Sequence, residues 1–80
     1  MSHVAQWDIR VHLFEQDDDT AARVVLDTGS NTLRGEGRAH RNQGDPQVPE
    51  IGDELAVGRA LIHLGSQLVA AAVGDSSAMG

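Results

Sequence analysis

Apolar residues recur at every second position as far as His40 and about every 3.6 positions from Pro49 onward. That change of period constrains the fold more than any other feature, because period two belongs to strands and period 3.6 to helices. In "AQWDIRVHLF", residues 5–14, Trp7, Ile9, Val11 and Leu13 share one face; Asp8, Arg10, His12 and Phe14 share the other. This predicts a strand with one buried face. "TAARVVLD", residues 20–27, predicts a second, with Ala22, Val24 and Leu26 inward and Arg23 and Asp27 outward. Between them, Glu15–Asp19 sets four carboxylates in five positions and reads as a solvated loop, without the glycine turn and distal Glu of a calcium loop. "TGSN" supplies the residues of a hairpin turn.

Residues Thr32–His40 predict a third strand with an unusual inner face of Leu33, Gly35, Gly37 and Ala39. Glycine weakens a strand and marks places where another backbone comes close. The pair therefore makes a smooth floor for a helix. After a loop from Arg41, the 3.6 period predicts a helix from Pro49 to Val73, ended by Gly74. Ile51, Leu55, Gly58, Ile62, Gly65 and Val69 form its apolar stripe, and Gly58 and Gly65 are expected to face the Gly35/Gly37 floor. The apolar arc spans half the circumference. Its surplus (Val57, Leu61, Leu64 and Leu68) exceeds what three strands can cover, so these four are the candidate interface with a second copy. Size argues the same way. Eighty residues form a single domain, 1–80, with 1–4 and 75–80 as frayed ends, and a domain this small usually needs a staple. With no cysteine, disulfides are excluded, and a partner subunit is the staple that remains.

Catalytic chemistry finds no constellation. Glu50, Asp53 and Glu54 follow Pro49 and read as the acidic start of a helix, favoured by its dipole; they do not converge. The four histidines lack metal-ligand spacing, and no serine lies in a nucleophile elbow. No enzyme activity, cofactor or metal is expected. No uninterrupted 18-residue apolar run and no leader pattern are present, so a cytoplasmic protein without a membrane segment is expected. The net charge is −6, with six arginines and no lysine, so the chain as a whole carries no basic footprint. Locally the balance reverses. The outer face of the strands gathers Arg10, Arg23, Arg34, Arg38, His12 and His40, with Arg41 just beyond, against Asp8, Asp27 and Glu36. The five arginines are candidate contacts for phosphates or RNA 2′-hydroxyls. A solvated face with cross-strand ion pairs is the alternative.

The third strand and the helix also carry a resemblance. Gly35-x-Gly37-x-Ala39, the Asn42-x-x-Asp45 loop and "VPEIGDELAVGRALIHLG" from Val48 to Gly65 are similar to a small actinobacterial domain-of-unknown-function family with a dsRBD-like fold. Trp7-x-Ile9 and Thr20-x-Ala22 are compatible with it, so the resemblance covers nearly the whole chain. It implies an α+β chain of β-β-β-α order forming an intertwined homodimer. It also implies a link to stress and dormancy and a likeness in shape to ribosome hibernation factors. The expected partners are thus a second copy and the ribosome or another RNA-containing assembly, or alternatively a protein partner and no nucleic acid.

Overall fold

A computed structural model of the chain describes residues 2–42, 44 and 48–79, with side chains up to residue 74. Asp45 of the loop motif and the tail side chains beyond Gly74 lie outside the described residues. The element order is β1 (Ile9–Gln16), β2 (Asp19–Asp27), β3 (Thr32–His40) and α1 (Pro49–Met79). The strands form one antiparallel sheet in the order β1-β2-β3, followed by the single long helix, so the architecture is α+β as the two periods require.

The first strand, expected from residue 5, begins only at Ile9, and two other boundaries differ from expectation for local reasons. The acidic segment Glu15–Asp19 is not a loop. β1 runs through Glu15 and Gln16, leaving only Asp17 and Asp18 as the turn, with Asp17 in the left-handed region at φ 53°. Aspartate tolerates that region better than most residues. The backbone N–H of Arg41 donates to Asp18 O at 2.8 Å and ties the turn to the end of β3. At the other end, Gly74 does not stop the helix, which continues to Met79. An internal glycine costs a helix only about 1 kcal/mol, too little to end one that is otherwise favourable. The β2–β3 turn is as expected, closed by Thr28 N–H to Asn31 O at 2.9 Å and by Gly29 N–H to Asp27 Oδ1 at 2.8 Å.

The register sets the two faces. Ile9 pairs with Leu26, Val11 with Val24 and Leu13 with Ala22, while Ala22 pairs with Gly37 and Val24 with Gly35. The helix lies on this face over β2 and β3. The core is Ala22, Val24, Leu26, Ala39, Ala56, Ala60 and Leu64, with Leu33, Val57 and Leu68 packed at its margin. The expected glycine floor is present, but the helix meets it through a different stripe. A Cβ at Gly35 would run into Ala60 O and Leu64 N; one at Gly37 would run into Ala56 O and Ala60 N. Gly58 and Gly65 would meet nothing within 4 Å. The side toward the sheet is therefore Ala56, Ala60 and Leu64, roughly opposite on the helical wheel to Ile51, Leu55, Ile62 and Val69, which stay exposed. Close approach explains the choice: against a bare glycine backbone only small side chains let the helix settle. Leu64, assigned from sequence to the interface with a second copy, is thus 2% exposed and part of this chain's own core.

The result is an elongated molecule. Its radius of gyration is 16.1 Å, against roughly 12 Å for a compact 80-residue domain. By length and composition the helix from Pro49 to Gly74 would also suffice to cross a bilayer, which the absence of an uninterrupted apolar run had not suggested. Here that helix is the one seated on the sheet.

Gly35→Ala or Gly37→Ala must push helix backbone, which cannot rotate away as a side chain can. Each is expected to cost about 3 kcal/mol, the upper part of the usual overpacking range. That is a large share of the roughly 4–12 kcal/mol an 80-residue fold holds. Gly74→Ala, where a Cβ meets nothing, is expected to be neutral or to stabilise by up to about 1 kcal/mol. Urea unfolding followed by circular dichroism measures both.

Candidate binding surfaces

Helix α1 covers one face of the sheet, and no described element covers the other. On that bare face the register builds rows across the strands: Arg10–Val25–Arg34, His12–Arg23–Glu36 and Phe14–Ala21–Arg38. Rows follow at about 7 Å along the strands and neighbours at about 5 Å across them. Four of the six basic residues of the chain stand here, as expected. Arg23 Nε lies 3.5 Å from Glu36 Oε1, and His40 Nδ1 lies 2.7 Å from Asp19 Oδ1. Arg10, Arg34 and Arg38 form no ion pair among the described residues. Arg41 differs from the other four. Its guanidinium holds Asp18 Oδ1 through Nε and Nη2, both at 2.9 Å, so it acts as a clasp between the β1–β2 turn and the end of β3.

The helix side carries a second surface. Because α1 is centred on β2 and β3, every residue of β1 is exposed, including the inward row of Ile9, Val11 and Leu13. That row continues the covered apolar surface of β2. Of the four candidate interface residues, Leu61 is exposed, Val57 and Leu68 are half-buried against the core, and Leu64 is buried. Ile51, Leu55, Ile62 and Val69 add an exposed stripe along the helix, Ile62 being 72% exposed.

The two sheet edges also differ. Along β3, the Glu36 N–H donates to His63 Nδ1 at 2.9 Å, and Arg59 Nη1 donates to Arg38 O. In the first bond Nδ1 is the acceptor, and on the other side of the ring His63 Nε2 lies 3.1 Å from Gln67 Nε2. The helix thus closes the middle of the β3 edge. No described residue closes β1 in this way.

Sequence reasoning missed one juxtaposition. Asp53 does not point to a polar surface. It meets Glu15 at the end of β1, and Asp53 Oδ1 is sealed from water without a hydrogen-bond partner. Glu15 is held above the usual carboxylate range by its hydrogen bond to Asp53, by the like charge of Asp53, and by partial desolvation. The pairing depends on the rotation of the helix about its axis, which the misassigned stripe hid. Beside it opens a cleft of about 530 Å³ bounded by Glu15, Thr20, Arg41, Val48, Ile51 and Leu55 among others. Among the described residues no three His, Asp or Glu side chains are placed to hold a metal ion.

A family model described as Rv2632c-like matches residues 5–80. An uncharacterized protein of Mycobacterium tuberculosis, MT1780, is 38% identical over 78 residues, covering 96% of this chain and 83% of its own. Rv2632c of the same species is 39% identical over 70 residues, covering 88% and 75%. The crystal structure of Rv2632c superposes with a TM-score of 0.87 at 36% identity, covering 99% of this chain and 95% of that one.

The acid pair sets a pH signature. Glu15 binds its proton more tightly in the folded chain than in the unfolded one, so the pair favours the fold at low pH and this support is lost as pH rises through the raised value. Glu15→Gln keeps a hydrogen-bonding side chain and removes the repulsion. It is expected to raise the melting temperature at pH 7, with the gap closing toward pH 4. Thermal melts across that range measure it.

Proposed function

The chain belongs to the Rv2632c-like family, and from that premise we propose that it is a non-enzymatic homodimer that binds an RNA-containing partner through the bare face of its sheet. One observation carries the RNA half of this reading: among the described residues Arg10, Arg34 and Arg38 stand without ion pairs on a face that no described element covers, in a chain of net charge −6. An acidic protein that concentrates free arginines on one exposed face gives that face a local charge opposite to its own average, and phosphates match it. We take the RNA to be ribosomal and the setting to be stress, as the resemblance noted in the sequence implies.

The dimer rests on surface area. The chain exposes 6372 Å², whereas a compact monomer of its mass exposes about 4,700 Å². The excess is about twice the ~800 Å² that each partner of a standard interface buries. The helix side contributes exposed apolar residues to it, in the Ile9–Val11–Leu13 row and the Ile51–Leu55–Ile62–Val69 stripe. A second copy seated there covers both chains' apolar rows and leaves the arginine face open to solvent, doubled in extent. A protein partner without nucleic acid is the second reading, favoured by the overall acidity and by the three consecutive aspartates at the β1–β2 hairpin.

Sedimentation equilibrium at micromolar concentration is expected to give twice the 8.5 kDa of the chain, and Val11→Asp to give the monomer. Arg34→Ala and Arg38→Ala are expected to weaken ribosome co-sedimentation at low salt. Each should reduce the slope of log affinity against log salt by about 0.7–1. A folded monomer refutes the dimer, and absence of binding at low salt refutes the RNA reading.

A further inference from the structure

We propose that the RNA met by the arginine face is an unpaired strand, with bases stacking on Phe14 and Trp7; this rests on the RNA reading above. The observation behind it is where the aromatic residues lie. The chain has one Trp, one Phe and no Tyr. Trp7 is 57% exposed and Phe14 55% exposed, while the core is assembled from Ala, Val and Leu. An aromatic side chain is the largest apolar payload a small domain has, and folds this size ordinarily spend it inside. Here both stand outside, Phe14 near the end of β1 and Trp7 two residues before its start.

Phe14 belongs to the outer row Phe14–Ala21–Arg38. Its cross-strand neighbour is a methyl group, too small to cover a ring, and the next side chain across is one of the unpaired arginines. At the other end, Trp7 lines an open cleft of about 570 Å³ with Arg10, Val25, Asp27 and Thr32. Trp7 precedes β1 and so lies outside its alternation; the cleft it lines with the outer-face residues Arg10 and Val25 brings it to the arginine side, where Phe14 shares its row with Arg38. This is the pattern that single strands require: cations that follow the backbone and aromatic faces that take successive bases. An antiparallel sheet with exposed aromatics on its open face is also how some RNA-binding modules stack two or three bases. A duplex would make no use of it, since paired bases keep their faces in the stack and offer phosphates and 2′-hydroxyls instead. The carboxylate of Asp27 repels phosphate but accepts hydrogen bonds from the amino groups of a base. The Trp7 cleft thus suits a base turned inward, with its phosphates toward Arg10 and Arg34.

The test uses the whole chain and two probes, a fluorescein-labelled 12-nucleotide RNA and the duplex it forms with its complement, compared by anisotropy at low salt. The single strand is expected to bind at least tenfold more tightly. It should quench the fluorescence of Trp7, the sole tryptophan, while the duplex does not. Phe14→Leu and Trp7→Leu are each expected to weaken single-strand binding by roughly 5- to 150-fold, and Phe14→Tyr to retain it. The quenching and the Phe14→Tyr result keep the test decisive even if Trp7→Leu perturbs the fold. Equal affinity for both probes, lowered by Arg34→Ala but not by Phe14→Leu, overturns the stacking and leaves the arginine face as a backbone reader. No binding of either probe overturns the RNA reading itself, in favour of a protein partner.

Discussion

Everything in this fold hangs on the contact between helix backbone and strand backbone at Gly35 and Gly37. Two side chains are absent from β3, and the carbonyls and amides of Ala56, Ala60 and Leu64 occupy the space they would have filled. A contact of this kind is unforgiving, because neither side has a rotamer to change. It fixes the height of the helix above the sheet, its rotation about its own axis and its position across the strands. With the helix held over β3 and β2, the inward row of β1 is left uncovered. With Ala56 and Ala60 turned down, the larger Ile51, Leu55, Ile62 and Val69 are turned out. Both exposed apolar surfaces are thus consequences of two missing methyl groups.

The strands, their order and the glycine floor could be read from the sequence because each depends on local alternation. β3 was legible to the residue, and the start of the helix was marked by Pro49. The azimuth of the helix was not. A hydrophobic wheel weights a stripe by the size of its residues, and Ile51, Leu55, Ile62 and Val69 outweigh Ala56 and Ala60. Facing bare backbone, the selection runs the other way and favours the smallest side chains. The same error displaced Asp53, whose approach to Glu15 follows directly from turning the helix to its true face. The arginine face was legible because alternation alone assigns it. That Arg41 leaves it for Asp18 was not, since this follows from how β3 meets the hairpin.

The two sides of the sheet answer different physical demands. The helix side is apolar and large for the mass of the chain, and burial is the only force acting on it at scale. The bare side presents arginines whose stems lie on a strand surface and whose heads remain hydrated, at little cost in stability. The acidic remainder opposes nonspecific adhesion to polyanions and confines the positive balance to this one face.

The unequal edges of the sheet limit how far the chain can grow. Arg59 and His63 occupy backbone groups in the middle of β3, while no described residue claims those of the β1 edge. A sheet with two free margins is a polymer unit, able to add neighbours without end. A margin interrupted at its middle, as β3 is, presents no unbroken ladder for a neighbouring strand to extend. Two side chains of the helix thereby do for β3 what a bulge or an edge lysine does in other sheets: they blunt it.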